Sequence, residues 1–216
     1  MTVYVVAGTQ IDYASSLATS KNMTAVNNAT SAVATLEASH GVAANEYVLF
    51  TTSGWPLLQG RVARASSVAT NDVTFAGLDT SSTLLYPAGS GTGTVQEITW
   101  STLGTVARDT QLAGGEPNYG DATLVSDYTE KEVVTTLSAY KLTLPVFWDP
   151  AASFVSNAVS FTLLQSATAI RLRHPSGPIV CAGAKIVYKA MPSFDNGIYK
   201  TSIIVTFTGE PMVYTS

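Results

Sequence analysis

The sequence predicts an all-β fold with one α-helix, organised as a single domain over residues 1–216. Short segments rich in Val, Thr, Phe and Leu alternate with Gly, Asn, Asp and Ser along most of the chain, which is typical of strands joined by turns. One segment, after Asp149-Pro150, has helical periodicity instead. At 216 residues the chain is long enough to bury a substantial core without disulfides.

The first half of the chain is predicted to form a small β unit, because its apolar segments are short and each is bounded by turn residues. The predicted strands are Thr30 to Glu37, Glu46 to Thr52, Arg61 to Ala65, Asp72 to Leu78 and Val95 to Trp100. Two further predictions follow in the chain, a short strand from Thr123 to Val125 and one long or broken strand from Lys131 to Trp148.

A single amphipathic helix is predicted next, with Asp149 as its N-cap and Pro150 at its first helical position. Within it, Phe154, Phe161 and Leu164 recur at helical spacing. We therefore expect these three side chains to pack against the sheet.

A long β-hairpin is the clearest prediction in the last part of the chain. After a strand from Ala169 to His174, two long β segments, Ile179 to Ala190 and Ile198 to Gly209, are joined through Asn196-Gly197. Asn-Gly supplies the positive φ angles that a tight hairpin turn needs.

The composition is unusual for a soluble monomer. Only 12% of the residues are charged, 46% are apolar and the mean hydropathy is +0.22, while 22 Ser and 29 Thr supply most of the polar surface. This balance favours a chain whose surface is largely covered by neighbouring copies, and a Ser/Thr-rich monomer is the alternative. The net charge of -4 argues against a basic nucleic-acid-binding protein.

Charge is also unevenly distributed along the chain. Between Glu97 and Glu132 there are seven acidic residues against two basic ones, and between Lys141 and Lys200 there are six basic residues against two acidic ones. The acidic part of one copy could face the basic part of another, although two solvated faces of a monomer would show the same pattern.

The glycines of the segment LLYPAGSGTG, residues 84–93, do not form a phosphate-binding loop. Their spacing is G-x-G-x-G, the segment carries no lysine, and a β-like segment rather than a helix follows it. The glycines are therefore interpreted as a pliant connection between strands.

Catalytic candidates are few. His40 and His174 are each predicted in turns, and Cys181 lies in an apolar segment and is predicted as a small buried hydrophobe. Transition-metal ligand motifs and a nucleophile elbow are absent from the sequence, and the acidic segment from Asp121 to Glu132 lacks the calcium-loop order. We therefore expect no catalytic residues, no cofactor and no metal, and no enzyme activity.

Two alternatives remain open at this point. A carbohydrate-binding β module of a phage or bacterial surface assembly would need exposed aromatic residues, and Trp55, Trp100 and Trp148 are candidates. A hydrolase would need a partner for one of the two histidines. The N-terminus does not have the pattern of a signal peptide, and no apolar stretch approaches about 20 residues, so we expect folding in a cytoplasm and no membrane insertion.

The stretch from Ser39 to Trp100 resembles the tail tube (major tail) proteins of long, non-contractile, lambda-like phage tails of the siphovirus type. The elements that carry this resemblance stand in a fixed order, and they are His40-Gly41-Val42, Gly54 to Val62 (GWPLLQGRV), Gly77-Leu78-Asp79-Thr80, Tyr86 to Gly93 (YPAGSGTG) and Trp100. The second half is similar in layout, with a long strand, one helix, a strand and a long hairpin.

The resemblance implies a β-sandwich or barrel-like tail tube fold whose long C-terminal β-hairpin contributes to an inner β-barrel in a hexameric ring. It implies a structural virion protein that polymerises as stacked hexameric rings into the conduit for DNA delivery, without a C-terminal immunoglobulin-like decoration domain. The partners implied are other copies of the chain, a tape-measure protein, tail terminator and tail-tip proteins, and DNA in transit. The localisation implied is the virion, with the host cytoplasm during assembly.

By the same resemblance, the acidic segment from Ala107 to Thr129 is expected to be mobile in the monomer and to reach an adjacent ring or subunit. The segment from Tyr86 to Gly93 is expected to touch a neighbouring subunit. The residues predicted at subunit interfaces are Trp55, Tyr86, Gly89, Gly91, Glu116, Asp121, Asp127, Asn196 and Gly197.

Overall fold

The computed structural model describes residues 8–104, 106, 110–126, 128–175, 177–195 and 197–215 of the chain. Over these residues the backbone forms sixteen strands and one helix. The strands are β1 (Gln10–Leu17), β2 (Lys21–Val26), β3 (Val33–Leu36), β4 (Tyr47–Ser53), β5 (Val62–Ala69), β6 (Asp72–Phe75), β7 (Gly93–Thr102), β8 (Gln111–Ala113), β9 (Pro117–Asp121), β10 (Glu132–Leu137), β11 (Lys141–Phe147), β12 (Thr168–Arg173), β13 (Ile179–Tyr188), β14 (Ser193–Asp195), β15 (Ile198–Phe207) and β16 (Met212–Tyr214), and the helix is α1 (Ser153–Leu164).

Six of these strands close into an antiparallel barrel. Their order is β2, β3, β6, β5, β4 and β7, and β7 pairs back with β2 through Lys21 opposite Val95 and Met23 opposite Gly93. The barrel is filled by apolar side chains, among which Phe50 and Phe75 meet edge to face with ring centroids 5.3 Å apart. Closure pairs both edges of each of the six strands, so the small β unit predicted for the first half is confirmed as a barrel.

An open antiparallel sheet grows out of this barrel along β7. Residues 98–102 of β7 pair with β1, and the sheet continues in the order β1, β12, β13, β15, β11, β8. Strands β1 and β2 lie one after the other along the same edge of β7, and between them the Ala18 N–H donates to the Glu97 carbonyl at 2.9 Å. One strand therefore belongs to both the barrel and the open sheet.

The helix covers one face of the open sheet and forms a second core there. Phe154 and Ala158 are buried against the sheet, and Phe154 contacts Tyr188 with ring centroids 6.4 Å apart. The sheet residues in this core alternate along their strands, as a sheet covered on one face requires, and they include Ile11, Tyr13, Leu142, Leu144, Val146, Ile170, Ala184, Ile186, Ile203 and Val205.

The predicted helix exists, but two of its details are wrong. It begins at Ser153 after Ala152, because the Asp149 carboxylate accepts from the Ala151 N–H at 3.0 Å and so holds a turn that precedes the helix. Phe161 is partly buried as expected, whereas Leu164 is 75% exposed. At 3.6 residues per turn Leu164 is rotated roughly 80° from Phe154, which takes it off the buried face.

Some of the other strand predictions are confirmed by the structure and some are wrong. The long segment from Lys131 to Trp148 is a broken strand, with β10 and β11 separated by residues 138–140. Thr123 to Val125 is not a strand, and part of the predicted mobile loop forms β8 and β9 instead. Strands β1, β2 and β16 were not predicted, because β1 and β2 mix polar and small residues without a clear alternation and β16 is only three residues long.

The C-terminal hairpin is confirmed. Strands β13 and β15 pair antiparallel, with Ala184 opposite Phe207 and Tyr188 opposite Ile203. The short β14 continues the first strand of the hairpin along β15. The turn at Gly197, whose φ is +78°, therefore joins β14 to β15. Asn196 lies outside the described residues.

A buried ion cluster joins the barrel to the open sheet. Asp12 on β1 is only 1% exposed, and its carboxylate accepts from Thr102 on β7 and from Arg171 and Arg173 on β12. The Arg171 guanidinium also lies over the Trp100 ring, 4.6 Å from its centroid. Burial by itself would raise the pKa of Asp12, but the hydrogen bonds from Arg173, Thr102 and Arg171 outweigh it and hold that pKa below its ordinary value.

We predict that Asp12→Asn lowers the free energy of unfolding at neutral pH by about 3 kcal/mol, because the substitution leaves the mostly buried guanidinium of Arg171 and the partly exposed one of Arg173 without their counter-charge. A depressed carboxyl pKa in the folded chain contributes stability above the unfolded pKa of about 3.9, and this contribution is lost as the pH falls through the folded pKa. Urea unfolding at several pH values should therefore show the wild type and the variant converging in acid.

The matched control is Asp79→Asn, since Asp79 is exposed and bonds only Ser81 two residues away. This variant should unfold close to the wild type. A constant difference between wild type and Asp12→Asn from pH 7 to pH 3 would contradict the proposed role of the ion cluster.

Candidate assembly surface

A two-stranded ribbon made of β9 and β10 projects from the edge of the open sheet, and we refer to the described residues between 117 and 137 as the arm. Its base is a bend at Gly114 and Gly115, which have φ angles of +97° and +79°. Ser138 ties the bend together, since its carbonyl accepts from the Gly115 N–H and its Oγ accepts from the Glu116 N–H. The arm therefore continues the ladder of β8 and β11 in a new direction.

The two faces of the arm differ in polarity. Tyr119 stands opposite Val134, and Pro117 opposite Leu137, so four apolar residues share one face, which the Asp121–Glu132 pair extends at the far end of the arm. On the other face the Asn118 amide donates to the Thr136 hydroxyl at 3.1 Å. The arm is amphipathic in the manner of a strand pair that has one face covered.

The described part of the chain does not cover the apolar face of the arm. Every residue of β10 is exposed, and Tyr119, Val134 and Leu137 are 58%, 52% and 63% exposed. An isolated two-stranded ribbon is only marginally stable in water, and exposed apolar patches of this kind mark interaction sites. The arm therefore presents a surface suited to packing against another chain.

An apolar groove of about 850 Å³ continues this surface at the base of the arm. Leu112, Leu137 and Tyr140 form its arm side, and Leu57 on the loop between β4 and β5 stands on its barrel side. Its floor is formed by the ends of the sheet strands, with Leu142, Leu172, Val180 and Phe207. The groove and the apolar face of the arm share Leu137 and form one continuous surface.

The acidic residues predicted at interfaces lie on the arm, at its base or outside the described residues. Glu116 is exposed at the base, and Asp121 is exposed near the far end, where its carboxylate accepts from the Thr123 N–H at 2.8 Å. Asp127 lies outside the described residues. The structure brings Glu116 and Asp121 onto the same projecting element, and their role at an interface stays a prediction.

The glycine-rich segment folds back onto one end of the barrel. Trp55 is fully buried, its Nε1–H donates to the Pro87 carbonyl at 2.8 Å, and its ring meets Tyr86 at 5.2 Å. Gly91 packs closely here, because a Cβ at this position would lie 2.9 Å from the Trp55 ring. Trp55, Tyr86 and Gly91 thus stabilise their own barrel, while Gly89 is exposed and available for contact with a neighbour.

Two other predicted interface positions flank the hairpin turn. Gly197 is exposed at the end of the open sheet that lies away from the arm, and Asn196 lies outside the described residues. The predictions therefore fall on three separate places, namely the arm, the barrel end and the hairpin turn.

Sequence reasoning missed the apolar residues of the arm. The register of β10 shifts between Val134 and Thr136, so Val134 and Leu137 face the same side although they are three positions apart. This bulge disrupts the alternation by which a half-covered strand is recognised. The acidic residues of the segment were visible in the sequence, whereas its apolar face was not.

Two of the candidate catalytic residues, His40 and Cys181, are buried inside the fold. His40 is buried; its Nδ1 accepts from the Val42 N–H at 3.1 Å, and its Nε2 donates to the Thr70 carbonyl at 3.0 Å. Cys181 is fully buried, and burial raises the pKa of its thiol to about 12. Among the described residues, no three His, Cys, Asp or Glu side chains come together in a metal-binding group.

The described part of the chain has no helix that is long and apolar enough to cross a membrane. Of the tryptophans considered for glycan binding, Trp55 is buried, and Trp100 and Trp148 are each partly buried. Trp100 is further occupied by Arg171, which stacks on it.

A closed barrel, an open sheet and an uncovered amphipathic arm are the features of a structural subunit that packs against other chains. Residues 53–216 match the model of the family described as phage tail tube protein, TTP. The chain belongs to the phage tail tube protein family, which points to a non-enzymatic role and implies a place in the virion. No curated protein matches the chain.

We predict that Gly114→Val disturbs the bend at the base of the arm and leaves the barrel intact. A side chain here requires an unfavourable φ of +97°, and its Cβ would lie 2.2 Å from the Ala139 carbonyl oxygen. Strain of this kind costs about 1–3 kcal/mol, so amide exchange in β9 and β10 should accelerate by about tenfold or more. Hydrogen exchange read by mass spectrometry measures this.

Gly104→Val is the control, since a Cβ at Gly104 meets nothing within 4 Å. Arm exchange in the control should match the wild type. If the Gly114 variant exchanges at the wild-type rate throughout the arm, the bend does not depend on this glycine.

Proposed function

We propose that the chain polymerises as stacked hexameric rings into the tube of a siphovirus-type phage tail, the conduit for DNA delivery into the host cell. Membership of the tail tube family carries the proposal, since it indicates self-assembly into a tube. The uncovered apolar face of the arm supports it from the structure, because that face needs another chain to cover it.

In this proposal the arm of each subunit lies against a neighbouring subunit. Its far end carries exposed acidic residues, Asp121, Glu130 and Glu132, while the sheet exposes Lys141 and Lys185 on the face opposite the helix. An arm that crosses to a neighbour can bring these opposite charges together. The same pairing offsets lysines that would otherwise attract DNA phosphates, so a passing duplex is not held.

The hairpin strands supply the wall of the conduit in this proposal. Strand β15 pairs with β11 over residues 200–206 and with β13 over residues 203–207, and among the described residues the outer edge of β11 carries the three-residue β8 and a single bridge from Val106 to Val146. Ring closure would pair or cover this edge, as it does in closed barrels.

The remaining partners follow from the same role. A tape-measure protein would fill the tube, terminator and tip proteins would close its ends, and assembly would take place in the host cytoplasm before the virion is released. The residues at the exposed end of the barrel, including Gly89, and the turn at Gly197 are proposed as further subunit contacts.

We predict that Val134→Glu prevents assembly and leaves the fold intact. Val134 is 52% exposed in the single chain, so the change costs the monomer little, but a carboxylate in a covered interface would be buried without a partner. Electron microscopy and sedimentation of the purified chains at rising concentration should show tubes for the wild type and monomers for the variant, with similar melting temperatures.

The control is Leu163→Glu on the outer side of α1, where Leu163 is 77% exposed and distant in the fold from the arm. It should assemble as the wild type does. A wild-type chain that remains monomeric at high concentration would overturn the tube proposal, and normal tubes from Val134→Glu would overturn the role of the arm alone.

A further inference from the structure

A row of three aromatic residues, two of them exposed and one partly buried, crosses the end of the open sheet that lies away from the arm. It consists of Trp148, Tyr199 and Phe194, which stand on adjacent strands or just beyond them, and we call it the aromatic row. The ring centroids of Phe194 and Tyr199 are 4.6 Å apart, and those of Tyr199 and Trp148 are 5.7 Å apart. The Trp148 N–H donates to the Tyr199 carbonyl at 3.0 Å, which fixes the row in register.

The row is largely uncovered within the described chain. Phe194 is 75% exposed and Tyr199 is 46% exposed, and Met191 and Ile198 beside them are 85% and 48% exposed. At about 200 Å² per aromatic side chain, Phe194 and Tyr199 alone present roughly 250 Å² of apolar surface to water. Together with Met191 and Ile198, these side chains form a contiguous apolar patch at the tip of the hairpin, which makes the row a candidate interaction surface.

The apolar groove lies at the opposite end of the same strands and on the same face of the sheet. Leu142 and Trp148 are separated by an even number of residues along β11 and its extension, and Phe207 and Tyr199 are likewise separated by eight residues along β15. Because side chains alternate along a strand, both members of each pair point to the face that α1 covers in between. The two surfaces are roughly 26 Å apart along β15.

We propose that the aromatic row of one subunit docks in the apolar groove of a second copy of this chain, in the next ring along the tube. Two different surfaces at opposite ends of a subunit make a heterologous contact, and its repetition produces an open line of subunits rather than a closed pair. The groove volume of about 850 Å³ falls within the range of sites that take up groups of several rings. This inference rests on the proposed tube function and names the contact that joins its rings.

The occupant is a second copy because the groove is continuous with the arm, the proposed subunit interface. Leu137 belongs to both, so a chain that packs on the arm already lies beside the groove. The aromatic row is also too small to hold two monomers together, since a standard interface buries about 800 Å² per partner. Six such contacts made at once between two closed rings are multivalent and can be stable where one is not.

The test is assembly of the full chain with Phe194→Lys, compared with wild type and with Leu163→Lys as the matched control. Ring formation should be unchanged in all three chains. The critical concentration for stacking should rise by about tenfold or more in Phe194→Lys alone, because a charge replaces a central aromatic contact. Electron microscopy distinguishes single rings from tubes, and circular dichroism checks the fold.

A second measurement does not depend on a disruptive substitution. A chain with Phe194→Cys is mixed with a chain carrying Leu57→Cys, and assembled material is oxidised; Cys181 is buried and does not compete. Disulfide-linked dimers should form in the mixture and not when Leu163→Cys replaces Phe194→Cys. If Phe194→Lys were misfolded, this crosslink would still test whether the aromatic row docks in the groove.

The outcomes separate the two proposals. A wild-type chain that forms neither rings nor tubes overturns the tube function and this contact with it. Wild-type tubes accompanied by equally long tubes from Phe194→Lys, or by no crosslink between positions 194 and 57, overturn only the docking of the aromatic row in the groove.

Discussion

The architecture depends on the sharing of β7 between two sheets. Its first residues close the barrel between β2 and β4, and its last residues start the open sheet beside β1. Because one continuous backbone belongs to both, the barrel and the sheet cannot separate without breaking the central strand. The ion cluster at Asp12 secures the same junction with charge-assisted hydrogen bonds between β1, β7 and β12. The surfaces left uncovered consequently lie at the periphery, on the arm and at the two ends of the sheet strands.

Much of this fold can be predicted from the sequence wherever a segment has to satisfy only one physical requirement, such as burying one face of a strand. Strands β3 to β7 and the C-terminal hairpin have alternation and turn residues that agree with each other, and the structure follows them. Where two requirements compete, sequence patterns mislead. A bulge between Ala14 and Ser16 interrupts the alternation of β1, and Asp149 holds a turn instead of capping the helix.

The candidate surface was less predictable than the fold for a related reason. Trp55 and Tyr86 belong to a segment that resembles its family closely, yet the structure places them in the barrel core of their own chain. The exposed apolar residues, such as Val134 and Phe194, lie in segments without a recognisable motif. An exposed apolar residue is recognised only when the fold shows that nothing in the described chain covers it.

The arm and the barrel also differ in how far apart along the chain their contacts lie. In the arm Pro117 pairs with Leu137, 20 residues away, whereas barrel closure pairs Lys21 with Val95, 74 residues away. A local ribbon can form or dissolve in about 1–10 μs, while long-range closure is the slow event. Under the proposed function, the arm of a subunit would therefore be able to lose and regain its ribbon pairing without reopening the barrel.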